Sequence, residues 1–246
     1  MKAILFITAG GEPTARELGT VLPESEVVDL RGRGRLRAWM MENFHRYDGH
    51  VCIMSLGIVY RVISDLIRNK YEDPAVVVVD DARRYAIAAL SGHEGGANAL
   101  CWKTAALLGC EPVVTTASDT NKPLTLGVGC RRGVSASDVR EGVLSALDAC
   151  GRVKTDVRIA GSVDLKRNEE GLVQAFEDME IALVFLDSGR IREFSGAATE
   201  SAAARRQLNL PGVSEPCALL LGRRASLILP RTVYGPVTVA LADETV

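Results

Sequence analysis

Short apolar runs alternate with helix-length stretches along the whole chain. In the first half "AILFIT", "SEVVDL", "HVCIMS", "AVVVVDD", "AIAAL" and "PVVTTA" read as strands, with helical segments "VISDLIRN" and "ANALCWKTAALLG" between them. Runs such as "AVVVVD" are apolar at consecutive positions, as in a strand covered by helices on both faces. The alternation predicts an α/β fold with mainly parallel sheets. In the second helical segment Ala97, Leu100, Cys101, Thr104, Leu107 and Leu108 share one face at the i, i+3, i+4, i+7 spacing, and Gly109 supplies a stop. Turn and capping residues gather with a proline in "TTASDTNKP" (115–123), and "LTLGVGC" then starts a new strand. A boundary there divides the chain into two three-layer α/β units, residues 1–122 and 123–246. The second unit continues with a helix near 135–150, strand "VRIAGSVDL", a helix near 168–178 and strand "IALVFL". The polar stretch "GAATESAAARRQLN", a helix near 214–222 and strands "SLILP" and "VTVALA" follow.

Composition narrows the function classes. With 246 residues, 47% apolar, the chain can bury one large core or two modest ones. A net charge of -2 creates no global field to gather nucleic acid or an anionic membrane, so anion binding must come from local clusters. Of the 29 basic residues 23 are Arg, which suits two-pronged grips on carboxylates, although a GC-rich genome produces the same bias. The basic run "RGRGRLR" (31–37) reads as a solvated loop or helix start. Six Cys without a CxxC pair read as small buried hydrophobes of a reduced, cytoplasmic chain. "AILFITA" meets Gly10-Gly11 at once and reads as a first strand, not a secretory signal. No run approaches the roughly 20 apolar residues of a membrane span.

Two glycine-rich turns carry candidate chemistry. "LSGHEGGAN" (90–98) joins a strand to a helix, at a strand's carboxyl end, where open α/β sheets usually bind ligands. Gly95 and Gly96 there either make a tight turn or let the backbone approach a ligand, with free N–H groups for an oxyanion. His93, beside Glu94, is either a loop histidine or a general base. In "LGVGCRRGVSASD" (126–138), Gly127, Gly129 and Gly133 are spaced G-x-G-x-x-x-G, one residue longer than the dinucleotide fingerprint. Arg131 and Arg132 fill that loop ahead of a helix capped by Ser135 or Ser137, as exposed surface or as a carboxylate grip. "SVDLKRNEEGL" brings Asp164, Lys166 and Glu169 to a strand end, with Asn168 a plausible N-cap. "PGVSEPCALLL" offers Ser214 as an N-cap with Pro216 in the first turn. No G-x-S-x-G elbow, H-E-x-x-H, Walker loop or metal-spaced His/Cys set is present.

Taken in order, "SLGIVYRVISDLIRNKYEDPAVVVVDD" (55–81), "LSGHEGGANAL", "PVVTTASD" (112–119), "LGVGCRRGVS", "SVDLKRNEEGL", "GVSEPCALL" and "TVALA" resemble one family, the cobalt-precorrin-5A hydrolases (CbiG) of anaerobic cobalamin synthesis. Members of that family commonly carry a segment between the "TTASD" and "GVGCRRG" regions, which here lie only a few residues apart. The resemblance implies a hydrolase that opens the δ-lactone of a cobalt tetrapyrrole with water and releases acetaldehyde. It implies His93 or Glu94 as the base, the Gly95 and Gly96 amides as oxyanion donors, and the macrocycle as electron sink. It implies substrate contacts from Tyr60, Arg61, Lys70, Ser91, Gly92, Gly95, Gly96, Asn98, Thr115 and Asp119 in the first unit. In the second unit Gly129, Arg131, Arg132, Asp164, Lys166, Glu169, Ser214 and Glu215 are implied, the two sets lining a cleft between the units. No cofactor or metal site of the protein's own is implied, because cobalt travels in the tetrapyrrole. A homodimer partner or neighbouring pathway enzymes are candidate partners; nucleic acid and membrane are not. Two alternatives stand beside it: a non-catalytic tetrapyrrole carrier, and a nucleotide-binding protein using the 127–133 loop.

Overall fold

A computed structural model describes residues 1–116, 122–196 and 201–244 of the chain. Its contacts cluster into two units, Met1–Asp119 and Thr120–Val246.

In the first unit the apolar runs become β1 (Lys2–Phe6), β2 (Ser25–Asp29), β3 (Gly49–Ile53), β4 (Ala75–Val79), β5 (Tyr85–Leu90) and β6 (Glu111–Val113), in the order 2-1-3-4-5-6. Strands β3 and β4 are buried along their whole length, as consecutive apolar positions require. Helices α1 (Gly11–Val21) and α4 (Ala97–Leu108) pack on one face over Ile4, Phe6, Val51 and Val77. Helices α2 (Arg35–Asn43) and α3 (Leu56–Ile63) pack on the other over Leu5, Cys52 and Val78. Helix α3 starts six residues before the "VISDLIRN" segment and ends inside it. The chain then turns, and the Asp73 carboxylate accepts from the Arg68 amide at 2.9 Å. The "RGRGRLR" run is a helix start, α2 beginning at Arg35 after Gly34 at φ +82°.

One strand reverses. β1 to β4 are mutually parallel, but β5 runs antiparallel to β4, with Val76 opposite Leu90 and Val79 opposite Ala86, and β6 is parallel to β5. The cause is the short link after β4: Asp80 accepts from the amides of Arg84 and Tyr85, which closes a turn far too short for a parallel crossover. As a result the β5–α4 turn lies at the sheet edge where β1, β3 and β4 begin, opposite to the edge where they end.

The second unit holds β7 (Leu124–Cys130), β8 (Val157–Val163), β9 (Leu183–Leu186), β10 (Ser226–Tyr234) and β11 (Val237–Asp243), in the order 10-11-7-8-9. β7, β8 and β9 are parallel, whereas β10 and β11 form a hairpin antiparallel to β7, turned at Gly235 (φ +57°). This sheet is therefore mixed rather than mainly parallel. Helices α5 (Ala136–Ala149) and α6 (Glu170–Asp178) cover one face over Leu126, Val128 and Val239. The remaining helices are α7 (Ser188–Glu193), α8 (Ala202–Leu208), which forms inside the polar stretch, and α9 (Ser214–Leu221). Helix α9 covers the opposite face through Ala218, packed with Ala240 and Ala242. Ser135 caps α5 by accepting from the Asp138 amide. Asn168 does not cap α6, since Glu169 occupies that position, and Ser214 is the first residue of α9 rather than its cap. None of the six cysteines forms a disulfide, and Cys52, Cys101 and Cys217 are buried. Among the described residues no helix is long and apolar enough to cross a membrane.

Candidate functional site

Each unit gathers one cluster of the sequence candidates. In the first unit the chain leaves β5 through Ser91 at φ +57°, a conformation rare for a residue with a side chain, and enters α4 through Gly96 at φ +80°. Gly95 leaves no room for a side chain: a Cβ there would stand 2.4 Å from the Ser91 Cβ and 3.0 Å from the Asp73 carbonyl oxygen. The turn closes on itself, with the amides of Ala97, Asn98 and Gly96 donating to the carbonyls of Ser91 (3.1 Å), Gly92 (2.9 Å) and His93 (3.3 Å). Of the two expected oxyanion donors, Gly96 is therefore engaged. Below the tip, Ser91 Oγ and Asn98 Nδ2 are buried and bond to no described residue, while Asn98 Oδ1 accepts from Thr116 Oγ1 at 3.3 Å. Buried polar atoms left unpaired cost about 1–3 kcal/mol each, so two in one turn call for a partner.

His93 and Glu94 are exposed at the tip. Lys70 Nζ approaches Glu94 Oε1 at 2.6 Å, and that bond holds the Glu94 carboxyl below its ordinary range. The same contact raises the Lys70 ammonium, which also lies over the Tyr71 ring at 4.8 Å. A carboxylate so engaged is a weak proton acceptor. Tyr60 donates to the Ala89 carbonyl at 3.3 Å, so α3 reaches the same strand end. Tyr60, Lys70, Ser91, Gly92, His93, Glu94, Gly95, Gly96 and Asn98 thus meet around one turn. Arg61 does not join them: its guanidinium folds back along α3 to within 3.9 Å of a Cβ at Gly57. Thr115 is exposed, and its neighbour Thr116 makes the contact to Asn98. Asp119 lies outside the described residues. Asp73, Tyr71 and Thr116 were missed in the sequence, where nothing in their spacing tied them to the turn.

In the second unit the end of β7, the β10–β11 hairpin and α8 border a cavity of about 240 Å³. Gly129, Cys130, Arg131, Lys166, Ser201, Arg231 and Thr238 line it, with apolar walls from Val213, Val233 and Pro236. Lys166 is only 9% exposed and pairs with Glu169 at 3.2 Å, and Glu169 also accepts from the Gly133 amide at 2.8 Å. Burial alone would raise the Glu169 carboxyl, but the Gly133 amide, Lys166 and Arg132 outweigh it and hold the group charged. Burial pushes the Cys130 thiol up to about 11, so it stays neutral near pH 7. An adjoining groove, sharing Lys166 and Leu208, is lined by Arg132, Gly133, Asn168 and Glu169. Of the sequence candidates, Gly129, Arg131 and Lys166 line the cavity and Arg132 and Glu169 the groove.

Asp164, Ser214 and Glu215 line neither. Asp164 accepts from the adjacent Leu165 amide at 2.8 Å, and the buried Glu215 accepts from the Arg231 amide at 2.7 Å. Ser214 is buried over β7, where a Cβ on Gly127 would stand 1.8 Å from the Ser214 carbonyl oxygen. A Cβ on Gly129 would meet Thr238 Oγ1 at 2.6 Å. Both glycines thus serve packing of α9 and β11, which argues against the nucleotide-loop reading. Among the described residues no group of three or more His, Cys, Asp and Glu is arranged to hold a metal ion.

Residues 38–119 match the family model for cobalamin synthesis G N-terminal, and residues 124–242 the one for cobalamin synthesis G C-terminus. The chain is 38% identical over 144 residues to the cobalt-precorrin-5A hydrolase of Priestia megaterium, covering 53% of this chain and 38% of that protein. It is 36% identical over 150 residues to the enzyme of the same name from Salmonella typhimurium, covering 57% of this chain and 43% of that protein. The chain therefore spans about two fifths of the length of these curated relatives. Protein CobE of Sinorhizobium sp. is 31% identical over 121 residues, covering 48% of this chain and 79% of CobE. Among solved structures, that of CobE from the cobalamin pathway matches at 31% identity over 49% of this chain and 89% of that one, with a TM-score of 0.46. A putative cobalamin biosynthesis protein G homolog from Sulfolobus solfataricus matches at 19% identity over 99% and 97% of the two chains, with a TM-score of 0.42.

Proposed function

The chain belongs to the CbiG family of cobalamin-synthesis proteins, and from that premise we propose that it is a cobalt-precorrin-5A hydrolase. The reaction converts a δ-lactone-bearing cobalt tetrapyrrole and water into cobalt-precorrin-5B and acetaldehyde. The observation that carries this reading is the glycine turn from Ser91 to Asn98, where an exposed histidine is two residues from a backbone amide that bonds to no described acceptor. His93 takes a proton from water as the water adds to the lactone carbonyl. The oxyanion that forms is held by the Gly95 amide, a donor of the turn that bonds to no described acceptor. His93 passes that proton to the departing alkoxide as the ring C–O bond breaks, which leaves an alcohol and a carboxylic acid that ionises to solvent. His93 then takes the alcohol proton as the adjacent carbon–carbon bond breaks, acetaldehyde leaves, and the electron pair stays on the macrocycle. Cobalt enters and leaves with the substrate, so this reading asks for no cofactor held by the protein.

Purified protein incubated with the lactone intermediate should form acetaldehyde. H93A should slow its release by about 10²–10⁴-fold, the usual worth of a general base, with the fold intact by circular dichroism. E94Q should retain most of the rate, because Lys70 already occupies that carboxylate. Undiminished release from H93A rejects His93 as the base.

The second reading is a tetrapyrrole carrier. It is supported by the cationic cavity, which lies wholly within the stretch matched by the C-terminal family model. Tight binding of the intermediate with no acetaldehyde formed would favour it.

A further inference from the structure

We infer that the cavity between the end of β7 and the β10–β11 hairpin is a subsite for one short alkyl carboxylate arm of a bound tetrapyrrole, and that Arg231 is its principal anchor. The inference rests on the tetrapyrrole reading above and assigns a residue that the motifs do not contain. Size sets the ligand first: about 240 Å³ is less than the roughly 300–1,000 Å³ of pockets that enclose a whole drug-sized molecule, and a macrocycle is larger still. An acetate- or propionate-length arm fits. The walls suit its two ends, since Val213, Val233 and Pro236 offer apolar surface to the methylenes while Arg131, Lys166 and Arg231 offer charge to the carboxylate.

Charge balance sharpens the assignment. Lys166 is already neutralised by Glu169 at 3.2 Å. Arg131 and Arg231 form no ion pair with any described acidic residue, and what sets them apart from other such arginines is that both line one cavity. Two guanidinium groups on one cavity with no counter-ion among the described residues offer a site for an anion, and a guanidinium fork matches a carboxylate.

Arg231 is also deliberately placed. β10 is an edge strand, and its pairing with β11 shifts register between Leu229, opposite Leu241, and Thr232, opposite Val239. Three steps along β10 thus match two along β11, which is a β-bulge with Pro230 and Arg231 inside it. Bulges re-aim a side chain, and proline is tolerated there because the edge needs no donor. The buried Glu215 carboxylate accepts from the Arg231 amide at 2.7 Å and fixes the bulge to the first turn of α9. On the facing wall the Arg131 amide donates to the Pro236 carbonyl at 2.9 Å, which holds the second guanidinium beside the hairpin turn.

The test titrates the full chain with uroporphyrin, a flat tetrapyrrole bearing only acetate and propionate arms, and follows the change in its absorbance. R231M and R131M should each weaken binding by roughly tenfold, the worth of a charge-assisted pair. R231K, which keeps charge but loses the fork, should fall between R231M and the parent. R33M, an equal loss of charge at an exposed position of the first unit, should bind as the parent does. Circular dichroism checks each fold, and R231K carries the test if R231M is unfolded. Unchanged affinity in R231M and R231K, an equal loss in R33M, or no binding by the parent chain overturns the assignment. The acetaldehyde assay is separate: its failure with Arg231-dependent binding intact removes the hydrolase and leaves the subsite, and the reverse outcome removes the subsite alone.

Discussion

His50 is fully buried, stacked on Phe44 at 5.5 Å between centroids and edge-on to Trp39 at 5.8 Å. Its Nε2 lies 2.9 Å from the Phe44 carbonyl, which can only accept, so the proton sits on Nε2 and Nδ1 is buried without a described partner. Burial lowers the His50 pKa from 6.5; the Phe44 carbonyl opposes that shift and His45 adds to it. Below pH 6.5 the unfolded chain therefore takes up a proton that the folded chain refuses. Stability falls as pH drops from there and levels off below the folded pKa, with no contribution at higher pH. Urea unfolding between about pH 7 and 5 should show that slope, and H50Q should flatten it; an identical slope in H50Q would rule this histidine out as its source. His93 is instead exposed in a glycine turn, and that contrast in burial was legible in the neighbouring residues: an apolar strand around one, "SGHEGG" around the other. The capture of Glu94 by Lys70 was not legible, because the contact joins residues far apart in the chain.

At the scale of elements, glycines decide how closely α9 sits on its sheet. A methyl group on Gly127 would have to displace the Ser214 carbonyl, which is backbone in the first turn of α9, whereas Gly133 faces open space at φ +71°. G127A should cost about 1–3 kcal/mol or more through overpacking. G133A should cost about 1 kcal/mol through backbone strain alone. Denaturant midpoints that put G133A below G127A would contradict this ranking. The spacing G-x-G-x-x-x-G was visible in the sequence, but what each glycine faces depends on a helix about 90 residues later, so the motif alone left a nucleotide loop open. Strand identity was legible almost throughout, since apolar runs of five to seven residues admit few other structures. Direction was not: the five-residue link "DDARR" between β4 and β5 is too short for a crossover helix and could have announced the reversal. The chain's bulge at Arg231 had only Pro230 as its signal, read simply as the end of "SLILP".

At the scale of the molecule, each unit has its own sheet and its own core. The "TTASDTNKP" boundary expected from turn residues falls within three residues of the division between Asp119 and Thr120 drawn by contacts. The largest core cluster of the second unit runs from Leu124 to Leu241 and draws only on that unit. Both edges of its sheet, β10 and β9, also come from it, as do all the residues that line the Arg231 cavity. At about 125 residues it lies in the ordinary size range of self-standing domains, roughly 100–150 residues. Residues 122–246 expressed alone should therefore unfold in one cooperative transition, with coincident far-ultraviolet dichroism and fluorescence midpoints. The near-zero net charge of the whole chain does not oppose anion binding by this piece, because the relevant field is that of two guanidinium groups in one hollow that pair with no described acidic residue. The fragment should retain uroporphyrin binding that R231M weakens by the same factor as in the full chain, while releasing no acetaldehyde, since His93 is absent from it. A fragment that stays unfolded in dilute buffer would show that its core is insufficient, and acetaldehyde formed by the fragment would move the chemistry away from the Ser91–Asn98 turn.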